Sequence, residues 1–181
     1  MAQAGYFPIE ELKTLRKINS RIQGHPHRTA LPGLETTSGP LGEGLSQAIG
    51  IALAGRLDKK DYQVYCIASD GEHQEGNTWE AAMCAAKYKL DNLTLIIDRN
   101  NIQIDGNTED IMLLESMRLK YESFNWNVLE INGNDMRAIV DAVQTAKAMR
   151  ERPTCIIAHT DWRTEPTPVE KVGEPAISEL D

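Results

Sequence analysis

The chain has 181 residues and a formal net charge of −8. That length suits one α/β domain with a sizeable core and is short for two. The acidic balance, with no Lys/Arg cluster to offset it, excludes a general nucleic-acid or membrane-surface binder.

In chain order, Pro8 to Ile18 places Ile9, Leu12, Leu15 and Ile18 at helical spacing behind a proline, which predicts a short amphipathic helix. Gly24 to Gly44 is dense in Gly, Pro and Thr and reads as an ordered loop, long enough to suggest a functional one. Leu45, Ile49 and Leu53 then recur every four residues among small residues. This predicts a helix that can be packed closely on more than one side, by core or by another protomer.

Val64 to Ala68 and Leu93 to Ile97 are short apolar runs that predict buried strands. Between them Asn77-Thr78-Trp79-Glu80 reads as a capping box opening a helix that runs to about Tyr88. Asn127 to Ile131 and Thr154 to Ala158 predict two more strands, with an amphipathic helix from Met136 to Met149 between them. Strands alternating with helices predict an α/β fold: a doubly wound parallel sheet with helices on both faces. Residues 1–160 are expected to form one domain and 161–181, with Pro166, Pro168 and Pro175, an extended tail. The three cysteines, Cys66, Cys84 and Cys155, match no zinc or redox spacing and read as small buried hydrophobes. No apolar run reaches the length of a membrane span and the N-terminus lacks a basic-then-apolar leader, so a cytoplasmic location is expected.

Chemistry concentrates at Ser69-Asp70-Gly71-Glu72 and Asn100-Asn101-Ile102, each just past a predicted strand. Two oxygen ligands would then stand side by side at the carboxyl edge of a parallel sheet, where ligands of such sheets collect. One carboxylate and one amide would leave a bound Mg²⁺ with residual positive charge, which a diphosphate satisfies. Taken singly, each segment also reads as a strand-ending turn. A dinucleotide-binding reading is weaker, because no Gly-x-Gly-x-x-Gly follows Val64 to Ala68.

Several motifs in one order carry a resemblance. Asp70-Gly71-Glu72-His73-Gln74-Glu75-Gly76, Trp79-Glu80-Ala81-Ala82, Asp91-Asn92-Leu93 and the run from Ile96 to Gly106 resemble the thiamine-diphosphate motif of transketolases. Ser69 stands where that family has the first glycine of Gly-Asp-Gly. Gly24-His25-Pro26 and Thr37 to Gly44 extend the resemblance, which is greatest to the N-terminal subunit of transketolases encoded as two chains.

The resemblance implies a cation, Mg²⁺ or Ca²⁺ or Mn²⁺ in its place, held by Asp70, Asn100 and the Ile102 carbonyl. It implies diphosphate contacts from the Gly71 and Glu72 backbone, and Gly39, Pro40 and Leu41 against the aminopyrimidine. It implies a catalytic role for His25 near thiamine and donor substrate. Glu75 and Glu80 would reach across a subunit interface toward the carboxylate that activates the cofactor; Glu80 also has the local role of a capping-box residue. His73 reads as an exposed turn residue.

The implied reaction is transfer of a two-carbon ketol unit from a ketose phosphate to an aldose phosphate. The implied partners are a companion pyrimidine-binding chain, without which this chain is expected to be inactive, and a second copy across the cofactor interface. Two family features have no counterpart: a Gly-His motif upstream of the first helix, and a Gly-Lys-Gly segment plus substrate histidine where Asp161-Trp162-Arg163 follow Thr160. These gaps keep a catalytically silent cofactor-binding or scaffolding relative open, beside a ketose-forming synthase or a 2-oxoacid dehydrogenase component.

Overall fold

The four predicted strands find their partners in one parallel sheet. In the computed structural model, which describes residues 1–104, 106–161 and 163, strands β1 (Val64–Ser69) and β2 (Leu93–Arg99) pair in parallel from Val64 opposite Leu93 to Ser69 opposite Asp98. A two-stranded antiparallel hairpin follows, β3 (Ile102–Gln103) and β4 (Gly106–Asn107). Strands β5 (Asn127–Asn132) and β6 (Thr154–His159) complete the main sheet, whose order is β1-β2-β6-β5 and whose pairings are all parallel. β2 and β6 lie inside the sheet and are buried nearly throughout, which is why their sequences read as continuous apolar runs rather than alternations.

Helix α1 (Glu43–Leu57) buries Leu45, Ala48, Ile49, Ala52 and Gly55, one face at helical spacing. With α2 (Gly76–Lys87) and α4 (Met117–Ser123) it covers the sheet face made by Val64, Cys66, Leu93, Leu95, Ile97, Cys155 and Ile157. Each fully buried Leu or Ile there contributes roughly 1.5–3 kcal/mol of hydrophobic stabilisation. Between β4 and α4 lies the single turn α3 (Thr108–Ile111). The opposite face carries α5 (Met136–Ala148), whose Ala142 and Ala146 pack on Ile96, Leu129, Ile131 and Ile156. Asp135 caps α5 by accepting from the Arg137 and Ala138 amides. α5 spans β5 and β6, leaving Ile67 of β1, 76 % exposed, at the uncovered end of that face. β1 is therefore buried on one face only, not on both.

The chain divides into two compact units, Met1–Leu41 and Gly42–Asp181. In the first, the expected amphipathic helix is a shorter 3₁₀ helix, Ile9–Thr14. Thr14 bonds back to the Glu11 carbonyl, Leu15 is extended and Arg16 adopts φ 59°, which stops the winding before Ile18. Ile9, Leu12, Leu15 and Ile18 are all exposed. The expected ordered loop doubles back on itself, the Ser38 amide donating to the Pro26 carbonyl at 3.1 Å and the Arg28 amide to Thr37 Oγ1 at 3.1 Å.

Two local expectations are corrected. Helix α2 begins at Gly76 with no side-chain cap, so Asn77 is inside it and no capping box forms with Glu80. Asn77 instead donates to the Gly42 carbonyl and accepts from Ser46, tying α2 to the start of α1. Cys66 and Cys155 are buried as expected and Cys84 is half-buried; burial, and for Cys66 also Glu72, raises the Cys66 thiol to about 11. Among the described residues no helix is long and apolar enough to cross a membrane. The tail expected beyond residue 160 lies outside the described residues apart from Asp161 and Arg163.

Candidate functional site at the carboxyl edge of the sheet

Strands β1, β2 and β6 end level with one another, so the residues that follow them share one edge. Ser69 pairs with Asp98, and Arg99 with His159. Asp70 continues β1, its amide donating to the Asp98 carbonyl at 3.3 Å, and Asn100 continues β2. Parallel pairing thus sets the two predicted ligands on neighbouring strand ends.

Asp70 is 0 % exposed and its carboxylate accepts three hydrogen bonds. Oδ1 takes the Gly71 amide at 2.8 Å; Oδ2 takes Arg99 Nη1 at 2.8 Å and the Asn101 amide at 2.7 Å. The Asn101 bond brings Asp70 onto the loop that carries Asn100. Nothing in the amino-acid sequence alone marks Arg99, yet it is 2 % exposed and organises this edge. Its guanidinium also donates to Thr108 Oγ1 at 2.8 Å, to Glu109 at 2.6 Å and to Glu115 at 2.8 Å. Burial alone would lower the Arg99 pKa, and the bonds to Asp70, Glu115 and Glu109 outweigh it and raise it. Burial would raise Glu109, but the Leu114 amide and Arg99 lower it below the usual carboxylate range.

Asn100 is held at both ends of its amide. Nδ2 donates to Asp98 Oδ2 at 2.9 Å, and Oδ1 accepts from the Ile102 amide at 2.8 Å. Asp98 in turn receives the Thr160 hydroxyl, and the Thr160 amide donates to the Arg99 carbonyl at 3.2 Å. Asn100, Asn101, Ile102, Thr160, Asp161 and Arg163 are among the residues lining a cleft of about 600 Å³ at this edge.

The turn after Asp70 is closed by a reciprocal pair. Ser69 Oγ accepts from the Glu72 amide at 3.3 Å while Glu72 Oε2 accepts from the Ser69 amide at 2.9 Å, the capping-box arrangement expected instead at residues 77–80. The signature Ser-x-x-Glu at 69–72 is legible in the sequence, and it gives the serine in place of the family's glycine a structural task. The other Glu72 oxygen accepts from the Gly42 amide at 3.1 Å. Gly42 has φ 77°, and a Cβ there would stand 2.9 Å from Glu75 Cβ.

His73 is not the exposed turn residue expected. It is 1 % exposed, Nδ1 donating to the Ser69 carbonyl at 2.9 Å, with Nε2 2.7 Å from the Tyr121 hydroxyl. The Ser69 carbonyl can only accept, so neutral His73 carries its proton on Nδ1 and Tyr121 donates to Nε2. Trp79 and Tyr121 meet its ring edge-on. Burial lowers its pKa to about 4, against smaller raising effects from the Ser69 carbonyl and Glu72.

Within the first unit, Gly39 has φ 145° and a Cβ there would lie 3.6 Å from the His25 ring, so His25 and the Gly39-Pro40 turn are neighbours although fourteen positions apart. His25 and Leu41 are exposed, as are Glu75 and Glu80 in the second unit.

The donor chemistry of these groups is the kind a small, hard cation takes. Asp70 Oδ1 and Asn100 Oδ1 each keep a lone pair beyond the bonds above, and oxygen donors of this kind suit Mg²⁺ or Ca²⁺. Gln103 Oε1, buried without a hydrogen-bond partner, adds an acceptor beside Gly71, whose added Cβ would meet Gln103 Cγ at 3.3 Å. Among the described residues no cluster of three or more His, Cys, Asp or Glu side chains could hold a metal, and the expected set, with its single carboxylate, is not of that kind. The Gly71 and Glu72 amides, expected to face a diphosphate, bond to Asp70 Oδ1 and Ser69 Oγ.

Fold and edge together define a parallel α/β protein with a cleft of mixed polar and apolar lining at its strand ends. Residues 3–168 match the family of transketolase thiamine diphosphate-binding domains. The chain is 44 % identical over 156 residues to an apulose-4-phosphate transketolase subunit of Phocaeicola vulgatus, covering 86 % of this chain and 55 % of that one. It is 41 % identical over 160 residues to a 6-deoxy-6-sulfo-D-fructose transketolase subunit of a Clostridium species, covering 88 % and 58 %. The crystal structure of transketolase from Campylobacter jejuni superposes with a TM-score of 0.77 at 37 % identity, over 83 % of this chain and 24 % of that one. The chain belongs to the transketolase family and corresponds to its thiamine diphosphate-binding domain. It spans a little over half the length of the curated subunits it matches.

Proposed function

We propose that this chain is the diphosphate-binding half of a two-chain transketolase. It transfers a two-carbon ketol unit from a ketose phosphate to an aldose phosphate once a companion chain supplies the pyrimidine-binding half. The observation that carries the reading is the meeting of Asp70 and the Asn100 loop, joined by the 2.7 Å bond from the Asn101 amide to Asp70. The naming of these relatives as single subunits of a transketolase supports the companion, and their phosphate- and sulfo-sugar names support an anionic ketose as donor.

In this reading Asp70, Asn100 and the Ile102 carbonyl hold Mg²⁺, and Gly71 and Glu72 lie against the diphosphate. When bound, thiamine diphosphate supplies the electron sink for carbon–carbon cleavage. The chain's own residues do the rest. Asp98 and Thr160 hold the Asn100 amide with its oxygen available to the cation. His25, kept beside the Gly39-Pro40 turn, offers a ring nitrogen to the donor substrate, and Pro40 and Leu41 line the aminopyrimidine side. Glu75 and Glu80 reach across a self-association interface toward the activating carboxylate.

The test is calorimetric titration of the purified chain with thiamine diphosphate and Mg²⁺, alone and with the companion chain, followed by an assay of two-carbon transfer. Metal-dependent binding with turnover only in the reconstituted pair is expected, and His25→Ala should slow donor turnover while sparing cofactor affinity. Binding without turnover in the pair would leave a silent partner, and no binding in either setting would remove the reading altogether.

A further inference from the structure

We propose that Asn134, on the loop between β5 and α5, is a positioning residue for Asn100 and acts on it through Thr160 and Asp98. The inference rests on the cation-binding reading above and adds to it a residue from the edge strand of the sheet. A side-chain amide keeps nearly the same shape with its oxygen and nitrogen exchanged, so its hydrogen-bond partners decide which atom a cation meets. For Asn100 the deciding partner is Asp98, whose carboxylate only accepts. Asp98 Oδ2 takes Asn100 Nδ2 at 2.9 Å, which turns Asn100 Oδ1 to the Ile102 amide at 2.8 Å. The other Asp98 oxygen accepts from the Thr160 hydroxyl. Rotation of an aspartate carboxyl about its last bond is soft, so it takes both bonds to hold the Asp98 plane and, through it, the Asn100 amide.

Thr160 stands one residue beyond β6, past the last β5–β6 pair, Asn132 opposite His159. Its amide donates to the Arg99 carbonyl at 3.2 Å, and the Gly133 amide donates to the His159 carbonyl at 2.7 Å. At Asp161 the Asn134 side chain takes the place of a neighbouring strand. Asn134 Oδ1 accepts from the Asp161 amide at 2.7 Å and Nδ2 donates to the Asp161 carbonyl at 3.2 Å, the double exchange that paired antiparallel residues make. An Asx turn, with the Asn134 amide on Asn132 Oδ1 at 3.0 Å, sets that side chain in place. Against Thr160 the loop leaves no slack, for a Cβ added at Gly133 would stand 2.5 Å from Thr160 Cγ2. Thr160 is thus held between the Arg99 carbonyl and a clamped Asp161, which keeps its hydroxyl aimed at Asp98. Asn100, Thr160 and Asp161 line the cleft, and Asn134 reaches it through them.

The experiment is calorimetric titration of thiamine diphosphate with Mg²⁺ into the full chain, under whichever condition, alone or with companion, supports binding by the wild type. Thr160→Val removes the hydroxyl and should weaken binding by about 10-fold or more, the usual effect of losing a partner behind a metal ligand. Thr160→Ser keeps the hydroxyl and should restore most of the affinity. Asn134→Ala should weaken binding by a comparable factor. The double variant should be scarcely weaker than Thr160→Val alone, because both residues act along one route. That non-additivity is the readout, since general damage to the loop would add to the Thr160 effect in full. Should Asn134→Ala fail to give a native circular dichroism spectrum, Asn134→Ser, too short to grip both backbone groups of Asp161, takes its place in the cycle. Unchanged affinity at either position, a Thr160→Ser variant as weak as Thr160→Val, or losses that add in the double variant overturns the role of Asn134 alone. A wild type that binds no cofactor with Mg²⁺ in either setting overturns the functional reading, and this inference with it.

Discussion

Replacing His73 with glutamine tests the buried heart of the site by a pH dependence whose sign is set by the fold. Burial holds the folded His73 near a pKa of about 4, against 6.5 for an ordinary imidazole. Below pH 6.5 the unfolded chain takes up a proton at this residue and the folded chain does not, so His73 makes stability fall as pH drops. Its contribution is fully present above about 6.5 and is lost toward 4. At roughly 1.4 kcal/mol for each tenfold change, that gap corresponds to about 3 kcal/mol. Carboxylates also titrate in this range, so the quantity to read is the difference between wild type and His73→Gln, from urea denaturation followed by far-ultraviolet circular dichroism at several pH values. The wild type's advantage should shrink by about 3 kcal/mol between pH 7 and pH 4. A difference that stays constant with pH would refute the claim that a neutral imidazole is locked between Ser69 and Tyr121.

Tyr121→Phe removes the hydroxyl that donates to His73 and should destabilise the protein by about 1–3 kcal/mol, the range for a buried polar atom left unpaired, as read by denaturant titration. Gly42→Ala forces a side chain into φ 77° with a 2.9 Å approach to Glu75 Cβ, and should lower stability by about 2 kcal/mol or more in thermal unfolding. Asp70→Ala should abolish Mg²⁺-dependent cofactor binding and also destabilise by about 3 kcal/mol, because Arg99 would lose one partner of a buried pair; intact affinity in calorimetry would contradict the ligand assignment. Ile67→Ser, at a residue 76 % exposed, should change stability by no more than about 0.5 kcal/mol in the same denaturant titration.

What the sequence disclosed follows from which forces are local. β2 and β6 were legible because strands buried on both faces need mostly apolar residues, and Leu93 to Ile97 and Thr154 to Ala158 supply them, each with one threonine. α1 and α5 were legible from helical spacing. Asp70 and Asn100 were legible because each ends such a run. Arg99 was not, since its partners Thr108, Glu109 and Glu115 come from a single helical turn and the loop after it, neither with periodicity to announce it. The polar string from Asp70 to Gln74 hid His73 for a related reason: only the tertiary arrival of Tyr121 and Trp79 turns a turn residue into a core residue. A capping box is expected at 77–80 because a helix follows, whereas Ser69 and Glu72 close a 3₁₀ turn that begins at Asp70. Pro8 to Ile18 shows the converse failure, helical spacing without a surface in its own unit that buries it.

The aromatic cluster beside that turn equips the protein with a native optical reporter. Trp79 donates its indole N–H to the His73 carbonyl at 2.8 Å, and Trp126 donates to the Ala82 carbonyl at 2.9 Å while meeting Tyr121 edge to face. Both chromophores are thereby wired to the segment that presents Asp70, one directly and one through Tyr121. Loosening of that segment alters the polarity around two indoles together, so its opening registers as a change in emission with no label attached.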